Sequence, residues 1–161
     1  LEERVRLAAG PPFGPAGGDD VADELAAARA TRVESLLRSV KAAAGGVELC
    51  ATVSGPADSA RLRGLAPSSA AAVDRILLGL ARLSGAEIDG RLSALRPLAG
   101  DRPVTVSLNW SPERTAAVYA DDARRVAAAG ADRLALYNLS LVPEEGLQGF
   151  AAAAAAFEEA A

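Results

Sequence analysis

Apolar residues recur along the chain in two patterns, one with helical and one with strand spacing. Between residues 19 and about 44 they fall three and four residues apart, which predicts a long amphipathic helix that Gly45 and Gly46 end. Four shorter segments have the compact apolar and β-branched character of buried strands. These predicted strands are residues 47–54, 74–79, 104–110 and 132–138.

An internal repeat is the reason for predicting that residues 74–79, the second of these segments, form a strand. The segment that starts at Ala71 reads AAVDRILLGLARLSG, and the segment that starts at Gly130 reads GADRLALYNLSLVPEE. Each has an Asp-Arg pair, then an apolar run of strand length, then a loop. Because Asp132 opens a predicted strand, Asp74 is expected to open one as well.

Helical patterns separate the strands. Three of these helices are predicted at residues 57–65, 88–98 and 144–159. Another is predicted to begin at Ser111, with Ser as cap, Pro112 at the first helical position and Glu113 in the first turn. The chain therefore has one helix followed by four strand-helix units. The strands start about 25 to 30 residues apart, which is typical of parallel βαβ crossovers.

The predicted fold class is α/β with a parallel sheet, and two architectures fit it. One is the (β/α) half of a TIM barrel, and the other is an open doubly wound parallel sheet. The repeat links the second unit with the fourth, a period expected of a barrel built from quarter-barrel repeats. No glycine-rich nucleotide loop follows any predicted strand. We favour the half-barrel, with residues 1–18 as an irregular lead-in and residues 19–161 as a single domain forming the C-terminal part of a barrel.

Composition narrows the possible chemistry. The 161 residues include one cysteine and no histidine, so this chain by itself supplies neither a His-ligated metal site nor a Ser-His-Asp triad. Cys50 forms no intramolecular disulfide and is expected to be a small buried apolar residue. The net charge of -4, spread along the chain, argues against nucleic-acid binding. No apolar run is long enough to span a membrane, and no cofactor or metal site is predicted.

The segments LCATVS, VDRILLGLA, VTVSLNWSPE and GADRLALYNLSLVPEE resemble the C-terminal half of bacterial sugar-hydrolase-like TIM-barrel proteins. In those proteins the last strand often ends in a Tyr-Asn pair such as Tyr137-Asn138. The resemblance implies that four strands of the barrel lie outside this chain. It also implies catalytic carboxylates at the ends of particular strands, whereas the strand 104–110 ends in Asn109 and Trp110. A hydrolase of this kind would therefore hold its catalytic carboxylates largely outside this chain.

Strand alternation points to a candidate ligand-binding edge. One face of the four strands is uniformly apolar and is expected to pack on helices, while the other is mixed and polar. Binding sites of parallel α/β proteins lie where the strands end. The side chains expected there, suited to a polyhydroxylated small molecule such as a carbohydrate, are Ser54, Asn109, Trp110, Tyr137 and Asn138. Alternatively, Trp110 packs under a helix and the asparagines cap loops.

The opposite end of the strands carries three charged residues. Glu48, Arg75 and Arg133 lie at strand beginnings on the polar face, so we expect an ion-paired plug there. If Glu48 balances the arginines, Glu48→Ala should lower the melting temperature by several degrees.

An isolated half-barrel would leave two strand edges unpaired, at residues 47–54 and 132–138. We therefore expect association with an N-terminal half-barrel or with a second copy. The first functional hypothesis is a glycoside-hydrolase-like half-barrel that acts on or binds carbohydrate. The alternative is a non-catalytic degenerate barrel that serves as a carbohydrate- or protein-binding module.

Overall fold

The computed structural model describes residues 18–80 and 83–161. Its first element is helix α1 (Gly18–Ala43), the long helix that the sequence predicts. Residues 1–17, and with them nearly all of the predicted lead-in, lie outside the described residues.

Four parallel strands form one sheet. They are β1 (Cys50–Ser54), β2 (Arg75–Gly79), β3 (Val104–Asn109) and β4 (Arg133–Tyr137), and they lie side by side in chain order. Each predicted strand is present, and each is shorter than predicted. The α/β class with helices between parallel strands is therefore confirmed. A doubly wound sheet reverses its strand order at a switch point, and these four strands show no reversal.

Helices connect the strands and follow the last one. They are α2 (Ala57–Leu62), α3 (Pro67–Ala70), α4 (Ala86–Ala99), α5 (Ala116–Ala128), a 3-10 turn (Leu139–Leu141) and α6 (Glu144–Ala160). The helix predicted at residues 57–65 ends at Leu62, and a second short helix that was not predicted follows at Pro67–Ala70. Gly64 lies between them with a φ of +95°, and a Cβ there would lie 2.7 Å from the Val33 side chain. Only glycine therefore lets α1 approach this turn.

The main core lies on one face of the sheet. Every second strand residue points into it, as predicted, and packs against the helices. The fully buried strand residues are Ile76, Leu78, Val104, Val106 and Leu108. On the other face, Thr52 and Ser54 of β1 are exposed, while Thr105 and Ser107 of β3 are buried. This open face is the polar one that the sequence predicts.

Cys50 lies on the open face, so the expectation that it is buried is wrong. Its position on the edge strand β1 leaves it exposed. The pKa of the thiol is nevertheless raised, first by partial burial and then by the nearby Glu48 carboxylate, so the uncharged thiol is favoured.

A second apolar cluster joins α5 to α6. The Tyr119 and Phe150 rings meet edge to face, with centroids 5.6 Å apart. Gly149 makes room for this contact, since a Cβ there would lie 2.7 Å from the Tyr119 ring. The last helix is therefore held mainly by its neighbour α5.

The repeated Asp-Arg pair has the same structural role in both places. Asp74 accepts a hydrogen bond from the backbone N–H of Leu49 (3.0 Å) and donates its own N–H to the Leu49 carbonyl (2.9 Å). Asp132 does the same with Val104, at 2.7 and 2.8 Å. Each aspartate thus ties the start of its strand to the start of the preceding strand. We call these two arrangements the aspartate clamps.

The predicted charged plug is present only in part. Arg75 donates to Glu48 at 3.0 Å and to the Thr105 hydroxyl at 3.4 Å. Arg133 is exposed and forms no ion pair among the described residues. Because the Glu48 side chain is 55% exposed, the ion pair contributes about 0–1 kcal/mol. The geometry therefore gives no reason for Glu48→Ala to lower the melting temperature by several degrees.

The start of α5 differs from its prediction. The N-cap is Thr115, whose hydroxyl accepts from the Val118 N–H, and the helix begins at Ala116. Ser111, Pro112 and Glu113 belong to the preceding loop. Tyr119 explains this, because its hydroxyl receives the Ser111 N–H at 2.6 Å and holds the loop away from the helix.

None of the helices in the described ranges combines the length and the apolar character needed to cross a bilayer.

Candidate functional site

The carboxyl ends of the four strands lie along one edge of the sheet. Asn109 and Tyr137 are direct neighbours in the β3–β4 register, so their side chains share the open face. Asn138 follows at once and is half-buried. The Tyr137 side chain is exposed at 55% of its surface. We call these three residues, at the ends of the neighbouring strands β3 and β4, the β4-side group.

Ser54 lies apart from this group. It is in register with Gly79 of β2, which is in register with Ser107 of β3. Three strand spacings separate Ser54 from β4, which is roughly 14 Å in a flat sheet. The structure therefore brings together three of the five predicted ligand-binding residues and leaves Ser54 at the opposite edge.

Trp110 points away from the open face. Its indole packs against Val142 and the backbone of Gly146, where an added Cβ would lie 2.4 Å from the Trp110 Nε1. The backbone N–H of Trp110 also donates to the Tyr137 carbonyl at 2.9 Å. The alternative role considered for Trp110, packing under a helix, matches this position. Tyr137 is thus the aromatic ring that a ligand on the open face could contact.

Tyr119 is a positioning residue that the sequence analysis did not single out. Besides the Ser111 N–H, its hydroxyl contacts the Asn109 carbonyl, to which it donates at 3.3 Å. It thereby fixes the end of β3, where Asn109 lies. The only sequence signal for this role is its place in the apolar stripe of α5, with Ala123 and Val126 following at helical spacing.

A buried ion pair supports the loops behind the site. Arg114 and Asp122 face each other at 3.4 Å, and their side chains are only 9% and 1% exposed. Arg114 also donates to the Leu83 carbonyl, and Asp122 accepts the Gly85 N–H at 2.8 Å. Burial raises the pKa of Asp122, while the Gly85 N–H and Arg114 oppose that rise. The pair links the loop after β2 to the loop after β3.

Carboxylates at this edge are few and dispersed. Asp58, Glu113, Glu144 and Glu145 are all exposed. Glu144 and Glu145 lie in the first turn of α6, where negative charge is favourable, while Glu113 lies three residues before α5. Across residues 18–80 and 83–161, no three Asp, Glu or Cys side chains come together as a metal site would require. The edge thus offers hydrogen bonds and an aromatic ring.

The peptide bond between Tyr137 and Asn138 is cis. Asn138 is followed directly by the 3-10 turn, whose Leu141 N–H donates to the Asn138 carbonyl at 3.0 Å.

Comparison of this chain with protein families, with curated proteins and with solved structures gives no match.

Proposed function

We propose that this chain is half of a TIM-type barrel, and that the end of its open face binds a polyhydroxylated small molecule such as a carbohydrate. The catalytic carboxylates of a hydrolase of this type would lie on the other half. The observation that carries the proposal is the neighbouring pair Asn109 and Tyr137 at the carboxyl end of an open parallel sheet.

The strand registers support the barrel. Ala51, Ile76 and Val104 lie in one row across the sheet. The aspartate clamps make Val104 the repeat equivalent of Leu49. Leu49 lies two residues before Ala51, which is the residue level with Val104 in the sheet. The sheet therefore staggers by two residues over two strands. Continued around eight strands, this gives a shear of about eight, the value for a TIM barrel.

The chemistry of the β4-side group supports a polyhydroxylated ligand. The two asparagine amides provide both donors and acceptors for hydroxyl groups. The Tyr137 ring offers an apolar face beside them, and its hydroxyl can bond as well. Sugars combine C–H faces with hydroxyl edges, so this mixture of groups suits them.

A non-catalytic binding module is the second candidate. It is favoured by the strand ends themselves, where Ser54, Gly79, Asn109 and Tyr137 bring no carboxylate to the described part of the sheet. Glycoside hydrolysis needs two carboxyl groups about 5 to 9.5 Å apart. If the other half also lacked them, the barrel would bind carbohydrate without cleaving it.

A fluorescence titration tests the proposed ligand. Trp110, the only tryptophan of the chain, adjoins Tyr137 through a backbone hydrogen bond, so a ligand on the β4-side group should change its emission. The titrants are a panel of neutral mono- and oligosaccharides. Tyr137→Ala should weaken binding by about tenfold or more, a loss of about 1.4 kcal/mol.

Tyr137→Phe is the matched control, because it keeps the ring and removes only the hydroxyl. It should retain most of the affinity if ring contact dominates. A panel that leaves the emission unchanged at millimolar concentration, or an unaltered affinity in Tyr137→Ala, would contradict the proposed ligand site.

A further inference from the structure

Exposed apolar side chains are concentrated at the two sides of the sheet. Among the described residues, Val118 is the one large exposed apolar side chain that lies elsewhere. On the β1 side the exposed residues are Leu36, Val40 and Val47, and on the β4 side they are Tyr137, Leu139, Leu141 and Leu147. Such paired apolar strips mark contact surfaces.

Both outer strands also have a free edge within the described residues, since β1 pairs only with β2 and β4 only with β3. Leu49 directs both its N–H and its carbonyl towards Asp74 on β2. By strand alternation, Cys50 and Thr52 direct theirs outwards. An open row of backbone donors and acceptors beside apolar side chains is a template for another strand.

The exposed Arg133 at the start of β4 indicates which side chain a strand beside β4 should carry. Arg75 in β2 has Glu48 on one side and the Thr105 hydroxyl on the other. Arg133 occupies the repeat-equivalent position in β4, is exposed and has no such acceptor in the described ranges. A strand beside β4 would complete the pattern with an acidic or hydroxyl side chain near its start.

The helices restrict the partner further. Between neighbouring strands the chain crosses once, by α2 and α3, by α4 or by α5. α1 packs beside the crossover helices α2 and α3, with Arg29 donating to the Leu62 carbonyl, and α6 packs beside α5. In a closed barrel these two flanking helices would cover the gaps beyond β1 and β4. Both outer gaps of a closed barrel thus already have their helix. A second complete copy would bring two helices to each gap.

We propose that the open face and its two edges are the docking surface for a complementary half-barrel of four parallel strands joined by only three helices. The inference rests on the proposed barrel but not on its ligand. The partner's last strand would pair with β1, and its first strand would pair with β4 and face Arg133.

The experiment uses the full chain and, as a probe, residues 46–142 of the same chain, which hold β1 to β4 without α1 and α6. The staggered repeat makes this piece a mimic of the partner. Cys50→Ser in the probe leaves Cys50 of the full chain as the only thiol. We expect a 1:1 complex by sedimentation velocity. We also expect Cys50 to react at least tenfold more slowly with a thiol reagent, because it would face the closed interior.

Three variants of the full chain sharpen the test. Arg133→Glu should weaken the complex at least tenfold, because the Glu48 carboxylate of the probe would then face a like charge. Val118→Ser is the control, since Val118 lies away from both edges, and it should leave the complex unchanged. Thr52→Pro, which removes an outward N–H from β1, should also weaken it.

Two outcomes would overturn the inference. If the full chain alone forms a dimer that protects Cys50 equally well, the occupant is a second copy. If a probe that shows cooperative urea unfolding, and is therefore folded, neither binds nor protects Cys50, the surface is not a docking site for a half-barrel. The saccharide titration is independent: a complex that forms while all sugars fail to bind removes the proposed ligand alone.

Discussion

At the scale of single residues, the aspartate clamps do the most to define the sheet. Asp74 and Asp132 each use a carboxylate oxygen and a backbone N–H to hold one residue of the preceding strand. Asp74 is further paired with Lys41 of α1 at 2.6 Å. Because side-chain direction alternates along a strand, fixing these two residues fixes which face every later residue occupies.

The Asp74 clamp should make stability depend on pH. The Leu49 N–H and then Lys41 lower the pKa of Asp74 in the folded state. A carboxyl group with a lowered folded pKa stabilises the fold above its unfolded pKa of about 3.9, and this stabilisation is lost as the pH falls through the folded pKa. Asp74→Asn should therefore be less stable than the wild type at pH 7, and the difference should shrink below about pH 4.

Urea denaturation between pH 7 and pH 2.5 measures this effect. Asp101→Asn is the control, since Asp101 is exposed and makes no hydrogen bond or ion pair in the described part of the chain. A difference between Asp74→Asn and wild type that stays constant over this range would refute the charge-dependent clamp.

At the scale of elements, the contact between α5 and α6 depends on Gly149, because this residue has no side chain. Tyr119 is 1% exposed and lies against the backbone of Gly149. Its ring cannot move without leaving Phe150 and the loop that its hydroxyl holds. The last helix and the end of β3 are therefore positioned by the same aromatic side chain.

Two glycine-to-alanine substitutions should change the free energy of unfolding in opposite directions. In a helix, Gly→Ala usually stabilises by about 1 kcal/mol. Gly90→Ala in α4 should follow this rule, because an added Cβ there meets nothing within 4 Å. Gly149→Ala should instead destabilise by about 1–3 kcal/mol, because the Cβ would lie 2.7 Å from the Tyr119 ring.

The unfolding free energies of both variants, from urea titrations, check this prediction. Equal stabilisation by the two substitutions would show that α6 can shift away from Tyr119 without cost.

At the scale of the whole molecule, neighbouring strand-helix units are joined by a buried charge pair as well as by the sheet. Arg114 and Asp122 lie in the third unit and reach Leu83 and Gly85 of the second. Both charges are nearly inaccessible to water, so each depends on the other for neutralisation.

Removing one partner of this pair should be far more harmful than removing both. Asp122→Ala leaves the Arg114 guanidinium buried without its carboxylate and should cost about 3–5 kcal/mol. The double variant Arg114→Met with Asp122→Leu should recover most of that loss, because no buried charge remains. A double-mutant cycle by chemical denaturation measures the coupling. A cost below about 1 kcal/mol for Asp122→Ala would mean that water reaches the guanidinium.

Much of this architecture could be predicted from the sequence, because periodicity and turn residues report local structure directly. The β3 strand, the apolar face of the sheet and the place of Asp74 and Asp132 at the start of a strand all follow from spacing. The exposure of Cys50 depends on β1 being an edge strand with an open face. The position of Trp110 depends on Gly146, thirty-six residues later in the sequence. Such distant contacts leave no mark in local periodicity.

The start of α5 shows the same limit. Ser111, Pro112 and Glu113 have ideal capping chemistry, yet the helix begins at Ala116 because the Tyr119 hydroxyl engages the Ser111 N–H. Similarly, the β4-side group was predicted by its residue types, but its separation from Ser54 follows from the strand order.

The aspartate clamps also divide the sheet into two pairs of strands. One clamp joins β1 to β2 and the other joins β3 to β4, whereas β2 and β3 have no such clamp and are joined by backbone pairing and by the hydrogen bond from Arg75 to the Thr105 hydroxyl. The smallest piece that carries its own clamp and register is therefore a pair of strands with its helices. Tandem duplication of the gene segment for such a pair would lengthen the sheet by two strands at a time while preserving the stagger. The four-stranded sheet can thus be viewed as two copies of one strand-pair module.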